Sequence, residues 1–271
     1  MAYFLRVTKA EMLKQHKSMF YNKTIYLSLF IWPVLTFITA YYGYKPFQLS
    51  KIVKTVSYVN ADNLIVFMLI GYLCLGFFMC LVQSAWRFSF ERVQGTLELV
   101  YLSPANRLAF ILGNALSSLL ESVWLFIVFA LGIFICKSSC LNINLPAMLL
   151  GLVLMIVMAT LWGMFLNSLF LFSRDSSFLF TVLQDPMEFF SGIKIPTAVF
   201  PLWAKAISFI FPLTYTAEIL RRALLNGNSI YELRYFIIIS LLLGFIMLWF
   251  ILLSLRLGEN HAKKTGNMSL F

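Results

Sequence analysis

Three carboxylates interrupt two of the longest apolar stretches in the sequence. Glu121 lies within 108–136, and Asp185 and Glu188 lie within 176–193. Placing an acidic residue at the centre of a bilayer costs roughly 2.5 to 3.5 kcal/mol, so an acid retained there is a candidate functional group. In helices that cross a membrane, these carboxylates could line a translocation path and favour a cationic or amphiphilic cargo.

The same three residues have structural alternatives. Asp185 and Glu188 are three positions apart on one helical face, so they could pair with each other through shared protons. Partners could also come from Gln184 or Asn114, or from a second protomer, and the acids would then serve assembly. Pro186 between the two acids predicts a kink in this helix. Residue types alone leave both roles open.

The composition indicates which elements must hold these residues. Of the 271 residues, 61% are hydrophobic and 12% are charged, whereas ordinary globular domains are about 45–50% apolar and about 25% charged. A polytopic membrane protein is therefore expected. The formal charge of +10 comes mostly from basic residues in short stretches beside apolar runs, as membrane topology requires, so nucleic acid is not an expected partner.

Apolar stretches of roughly 20 residues, the length that crosses the hydrocarbon core, recur along the chain. They are continuous and lack the alternation of a barrel strand, which predicts helices. Six spans are expected, at 24–44, 63–86, 108–136, 145–172, 176–193 and 235–255. Six spans place both termini on one side, and the basic cluster before the first span predicts that this side is cytoplasmic.

Two further segments are expected at the membrane without crossing it. Residues 1–23 mix apolar and basic side chains, which predicts an interfacial amphipathic helix in the inner headgroup region; a simple basic flank is the alternative. Residues 196–225 contain Pro201, Lys205 and Pro212. Two prolines and a charge favour an outer re-entrant helix pair over a seventh span.

The segment 91–104, between the second and third spans, has a helical pattern of its own. Val93, Leu97, Val100 and Tyr101 fall on one face of a helix, and most of the remaining positions are polar. This predicts a short amphipathic helix on the cytoplasmic side. Such a helix could dock in a groove of a soluble partner and transmit that partner's motion to both spans. A loop that merely turns the chain is the alternative.

Two segments carry a family resemblance. ERVQGTLELVYLSPANRLAFILGNAL, which starts at Glu91, resembles the glutamate, arginine, glycine-threonine, glutamate and proline signature that follows the second span in type-2 ABC export permeases. FFSGIKIPTAVFPLWAKAISFIFPLTYTAEILRRALL is similar to that family's second signature, a small-residue turn and prolines followed by Pro-Leu-Thr-Tyr, an acid and arginine. The two signatures occur in the family's order, and the resemblance covers essentially the whole chain.

The resemblance implies an all-α membrane protein with six transmembrane helices, an amino-terminal interfacial helix, a cytoplasmic coupling helix and an outer re-entrant helix pair, in a single domain over 1–271. It also implies roles for individual residues. The positions that match the region facing the ATPase are Glu91, Arg92, Gly95, Thr96 and Glu98, with Arg174 and Asp175 as a second, shorter contact. The positions that match the segment closing the exit are Pro201, Pro212, Tyr215, Glu218 and Arg221.

The energy source is expected in other chains. This sequence lacks a glycine-rich phosphate loop followed by lysine, since the nearest spacing, Gly71 to Gly76, precedes Phe77 within a span. The resemblance implies two cytoplasmic P-loop ATPase subunits that use ATP and Mg²⁺, together with a second copy of this permease or a homologue. No catalytic residue, cofactor or metal is expected in this chain, because its four cysteines and two histidines lack zinc-site spacing.

The function implied is that of a permease subunit of an ATP-driven exporter in a bacterial cytoplasmic membrane. Its leading cargo is a hydrophobic or amphiphilic molecule, either a drug-like compound or an antimicrobial peptide. A lipid-linked glycan or polysaccharide is the alternative within the family. A proton-coupled secondary transporter would be expected to have internal repeats, and none stands out. A membrane-embedded enzyme would be expected to show a clustered nucleophile, base or metal set, and the sequence has no such cluster.

Overall fold

A computed structural model of the chain describes residues 2–20, 22–44, 63–93, 106–137, 141–170 and 176–265. Within these ranges every regular element is helical, in agreement with the expected fold class. A π-helical turn, His16–Phe20, follows the first helix, and a 3₁₀ turn, Thr197–Val199, precedes the eighth. The helices are α1 Ala2–Gln15, α2 Lys23–Tyr44, α3 Leu64–Val93, α4 Arg107–Leu116, α5 Leu119–Lys137, α6 Leu145–Phe170, α7 Ser176–Phe190, α8 Leu202–Ser208, α9 Pro212–Leu225 and α10 Arg234–Thr265.

Several of these helices are long and apolar enough to cross a membrane. In the described part of the chain, four such stretches are Ile65–Val82, Arg107–Ile127, Leu145–Leu169 and Arg234–Leu257. The chain is accordingly a multi-pass membrane protein. The other two expected spans fall on α2 and on α7, which ends at Phe190 rather than at 193. That all six cross the membrane stays a prediction.

The expected third span consists of two helices rather than one. Helix α4 ends at Leu116, and α5 begins at Leu119 after a turn at Ser117 and Ser118. Serine hydroxyls compete for the backbone and favour such breaks. Here the Ser118 hydroxyl donates to the Leu81 carbonyl of α3 at 3.5 Å. The turn between α4 and α5 is therefore held against α3 by a hydrogen bond.

Helix α3 is the longest element at the centre of the bundle. Its 30 residues extend about 45 Å at 1.5 Å per residue. Its side chains form the largest share of the main core, where Phe77 meets Phe126 of α5 edge to face at 5.8 Å. The helix continues to Val93, beyond the expected end at 86, so the first three residues of segment 91–104 extend the span. The rest of that segment lies outside the described residues.

One end of the bundle, here named the α1 end, is where α3 finishes and α4 begins. Helix α1 packs there on α4, and the Thr8 hydroxyl donates to the Ala109 carbonyl at 3.2 Å. Gly113 permits this approach, because a Cβ at that position would lie 2.6 Å from the Thr8 carbonyl oxygen. The amino-terminal helix is therefore part of the folded bundle.

The opposite end, here named the α9 end, is where α3, α6 and α10 begin. The backbone N–H groups of Asn142 and Asn144 donate to the Leu224 and Ala223 carbonyls, each at 2.9 Å, just before α6 starts. These bonds satisfy carbonyls in the last turn of α9, which would otherwise lack partners. They also fix the end of α9 against α6.

Candidate functional site

The predicted coupling residues lie at or beyond the α1 end. Glu91 and Arg92 belong to the last turn of α3. Gly95, Thr96 and Glu98 fall outside the described residues, as do Arg174 and Asp175 between α6 and α7. The structure therefore places the first two at the tip of the central helix. The role of the whole set in contacting an ATPase stays a prediction.

Glu121 is buried in the first turn of α5. Its Oε1 lies 2.6 Å from Nδ1 of His16, in the turn that follows α1. The Tyr26 side chain of α2 also interacts with this carboxylate. The contact with His16 is an ion pair when the imidazole is protonated. Glu121 thus joins α5 to the amino-terminal segment of its own chain, and a place in the translocation path stays a prediction.

The two acids of α7 have different surroundings. The Oε1 atom of Glu188 pairs with the Nζ atom of Lys194 at 2.7 Å, in the turn after the helix. Asp185 is exposed on the surface of the bundle. Gln184, one partner considered for the acids, is buried and accepts a hydrogen bond from Trp162 Nε1 at 3.2 Å. Asp185 is therefore accessible from outside the chain, whereas Glu188 is paired with Lys194.

Residues 196–225 contain two short helices that reverse direction. Helix α8 follows Pro201, and α9 starts at Pro212, where proline is favoured because the first turn of a helix has no acceptor for its N–H. Between them Phe211 is buried, with its ring 5.9 Å from that of Trp162 within α6. The pair thus descends into the bundle and returns to the α9 end. That it enters the membrane from outside stays a prediction.

Arg221 has the most constrained position among the predicted outer residues. Its side chain is buried, and its two terminal nitrogens donate to the carbonyls of Gly192 and Ile193, each at 2.7 Å. The guanidinium carbon also lies 3.8 Å from the ring centroid of Phe67 in α3. Arg221 therefore links α9, the turn after α7 and the central helix. These three interactions together form the Arg221 contact.

Two glycines make room for the Arg221 contact. At Gly71 of α3, a Cβ atom would overlap the Arg221 guanidinium and lie 2.9 Å from the Ile193 carbonyl oxygen. Gly192 has φ +79°, in the left-handed region that glycine adopts without steric cost. The turn needs glycine at position 192, because its backbone conformation there presents a carbonyl that Arg221 binds.

The other outer residues attach the helix pair to itself and to α10. The Tyr215 hydroxyl donates to the Phe209 carbonyl at 3.1 Å, which ties α9 to the preceding turn. Arg222 Nε donates to Glu218 Oε1 at 2.7 Å. Its guanidinium carbon also lies 4.8 Å from the ring centroid of Phe236 in α10. Tyr215, Glu218 and Arg221 thus lie in one segment at the α9 end, far from Glu91.

Sequence reasoning missed His16, Phe67 and Gly71 as partners of the site residues. Each contact joins positions that are far apart in the chain, and hydrophobic periodicity carries no information about which helices pack together. The sequence pattern assigns His16 only to the expected interfacial helix and Gly71 only to a span. A buried acid does require a partner, but that requirement does not identify which residue provides it.

Among known proteins, the chain is recognised by its family rather than by an individual relative. Comparison with curated proteins finds none that matches it. A family model described as ABC-2 type transporter matches residues 6–225. The matched range runs from α1 through the end of α9 and includes the whole of α3 and the Arg221 contact. Because this range is well over half of the 271 residues, the chain belongs to the ABC-2 type transporter family and is a membrane permease subunit.

Proposed function

We propose that this permease exports a hydrophobic or amphiphilic substrate, a drug-like compound or an antimicrobial peptide, across a bacterial cytoplasmic membrane. Permeases of this family generally pair with ATP-binding subunits, which supports an ATP-driven mechanism and disfavours proton coupling. Outward export of a lipid-linked glycan or polysaccharide is the second candidate. The exposed carboxylate of Asp185 favours the first, because it suits a cationic amphiphile.

The observation that carries the proposal is the continuity of α3 between the two ends of the bundle. Glu91 and Arg92 occupy its last turn, and Phe67 and Gly71 near its start pack against Arg221. An α-helix transmits a displacement along its axis because its hydrogen-bonded turns deform little. Motion of an ATPase at the α1 end would therefore reach the helix pair at the α9 end through one element.

The proposed assembly contains two permease chains and two cytoplasmic P-loop ATPase subunits, which bind ATP and Mg²⁺. Both termini of each permease face the cytoplasm in this arrangement. Gly95, Thr96, Glu98, Arg174 and Asp175 would complete the ATPase contact begun by Glu91 and Arg92. The complex would alternate between two states, and the residues around α8 and α9 would close the exit in one of them.

The function is tested by purifying the chain with its ATPase and reconstituting the complex in inside-out vesicles. The expected result is accumulation of a fluorescent cationic amphiphile that requires ATP and Mg²⁺ and stops with a non-hydrolysable ATP analogue. The same complex is assayed with a lipid-linked oligosaccharide, which distinguishes the two cargoes. Transport by the permease alone, without ATP, would contradict the proposal.

Glu91→Ala and Glu98→Ala are expected to lower ATP-dependent transport about ten-fold each, since a hydrogen bond to a charged group contributes about 1.5–3 kcal/mol. The permease should still insert, and the ATPase should still hydrolyse ATP without matching transport. Vesicle transport and phosphate release are measured on the same preparations.

Glu232→Ala provides the control for these variants. Glu232 is an exposed acid in the loop before α10, at the opposite end of the bundle. Its replacement should leave transport unchanged. Equal loss in all three variants would mean that surface charge in general, and not the coupling contact, controls the rate.

Asp185→Asn is expected to reduce export of a cationic amphiphile five- to ten-fold, about 1–1.4 kcal/mol, and to leave export of a neutral one nearly unchanged. Glu188→Gln should have a smaller effect on this preference, because Glu188 is paired with Lys194. Competition between the cationic and the neutral amphiphile measures the ratio of their export rates. If Asp185→Asn reduced permease dimerisation while the remaining dimers kept their preference for the cationic amphiphile, Asp185 would serve assembly.

A further inference from the structure

A cavity of about 300 Å³ lies at the α9 end of the bundle. Its walls are the turn after α7, both helices of the pair α8 and α9, and the first turn of α10. The volume is at the lower limit of small-molecule sites in proteins. The charged and phenolic side chains that line it are Lys205, Tyr215, Glu218, Arg221, Arg222 and Tyr235.

The charges in the cavity wall favour an anion. Lys205, Arg221 and Arg222 contribute three cations, whereas Glu218 contributes one carboxylate, which accepts a hydrogen bond from Arg222 at 2.7 Å. Arg221 donates to backbone carbonyls, which are neutral dipoles and leave its positive charge in place. The wall as a whole is therefore positive, and Lys205 is a flexible ammonium that can move toward a ligand.

The cavity also lies where the membrane surface is expected. The apolar stretch of α10 starts at Arg234, and the next two residues, Tyr235 and Phe236, line the cavity. Tyrosine and tryptophan are enriched where a span meets the headgroup layer. Large apolar side chains exposed on α8 and the turn after it are Leu202 at 86%, Trp203 at 63%, Phe209 at 55% and Ile210 at 59%.

These side chains need an apolar neighbour outside the chain. Leu202 and Trp203 begin α8, and Phe209 and Ile210 follow its end, so both ends of this helix present apolar surface next to a positive cavity. A molecule that joins a negative head to an apolar tail satisfies both surfaces at once. A soluble phosphate would satisfy only the charge.

We propose that this cavity binds the phosphate-bearing headgroup of an anionic phospholipid from the adjacent leaflet, with its acyl chains along the exposed side chains of α8. Phosphate oxygens form charge-assisted hydrogen bonds with ammonium and guanidinium groups. Binding of the lipid does not depend on which cargo is exported. The lipid holds α8, α9 and α10 together at the α9 end.

The test uses the full chain in nanodiscs of phosphatidylcholine that contain a small fraction of phosphatidylglycerol. The protein is released into detergent, and native mass spectrometry measures the copies of phosphatidylglycerol retained. Lys205→Gln is expected to weaken retention about ten-fold. Lys205→Arg should restore it, because the charge is kept. Arg234→Gln is the matched control, since Arg234 is an exposed cation at the same end outside the cavity wall.

Glu218→Gln gives a result of opposite sign. Removing the only carboxylate among the lining residues should strengthen retention, because Arg222 then faces the phosphate without a competing negative charge. Equal weakening by Lys205→Gln and Arg234→Gln would overturn the site, since only general surface charge would then matter. Glycerol phosphate is added as the soluble arm of the test. If it displaced phosphatidylglycerol at a matching concentration, the lipid assignment would be overturned in favour of a soluble phosphate.

Discussion

Arg221→Met is expected to lower the free energy of unfolding by about 3 kcal/mol or more and to abolish transport. Two buried carbonyls, those of Gly192 and Ile193, lose hydrogen bonds from a charged donor, and each such bond contributes about 1.5–3 kcal/mol. The link between α9 and Phe67 of the central helix is lost as well. Thermal unfolding in detergent and vesicle transport are measured on the same protein.

Arg222→Met is the matched control for this variant. Arg222 lies one position further along α9, and its pair with Glu218 is partly exposed. An exposed pair of this kind contributes only about 0.3–0.5 kcal/mol. Arg221→Lys separates stability from transport, since lysine keeps the charge but lacks the planar fork. A folded Arg221→Lys variant with reduced transport is expected, whereas equal behaviour of Arg221→Met and Arg222→Met would contradict the structure.

Gly71→Ala tests the Arg221 contact from the side of the central helix. Its added methyl group would overlap the guanidinium and lie 2.9 Å from the Ile193 carbonyl oxygen, which belongs to the backbone and cannot rotate away. Gly163→Ala in α6 introduces the same methyl group where its nearest neighbour, the Cβ of Ala115, is 3.8 Å away. Only the first change should lower the unfolding midpoint and transport.

His16→Leu is expected to destabilise the protein by about 3–5 kcal/mol, the cost of removing one partner of a buried pair. The change leaves the Glu121 carboxylate buried near Tyr26 without the imidazole. Glu121→Leu should cost less, because the imidazole that remains can be neutral. Unfolding midpoints in detergent measure both, and Lys17→Leu, an exposed change in the same turn, should have little effect.

The double variant His16→Leu/Glu121→Leu isolates the pair itself. It should be more stable than His16→Leu alone, since two apolar side chains replace an unpaired charge in an apolar setting. If the two single costs simply added, the 2.6 Å contact would make no energetic contribution. Retained stability together with lost transport in the double variant would instead indicate that Glu121 acts in transport.

The two contacts lie at different levels of the same bundle. His16 and Glu121 join the amino-terminal segment to α5, and Arg221 joins the outer helix pair to α3 near the start of that helix. Helices α3 and α5 pack side by side between them. Changes that loosen either contact are therefore expected to weaken coupling between ATP hydrolysis and transport, even where the protein remains folded.

The sequence by itself determined the class of the fold, the family and most helix positions. A chain that is 61% hydrophobic must satisfy its backbone inside lipid, and only helices do so within one segment. Pro201 and Pro212, with Lys205, likewise predicted a helix pair within 196–225, because proline limits where a helix can continue. Both inferences rest on local physics, which a linear sequence displays directly.

The tertiary structure alone decided which residues meet. That α4 breaks from α5 at two serines and that His16 pairs with Glu121 both depend on neighbouring helices. Asp185 and Glu188 share a sequence pattern, yet Lys194 pairs with only one of them. Arg221 could be assigned to an outer segment from its motif, but its carbonyl partners and the space at Gly71 arise only when distant segments pack. Hydrophobic periodicity does not distinguish one apolar helix in lipid from another. Close packing and buried polar pairs therefore determine which helices become neighbours.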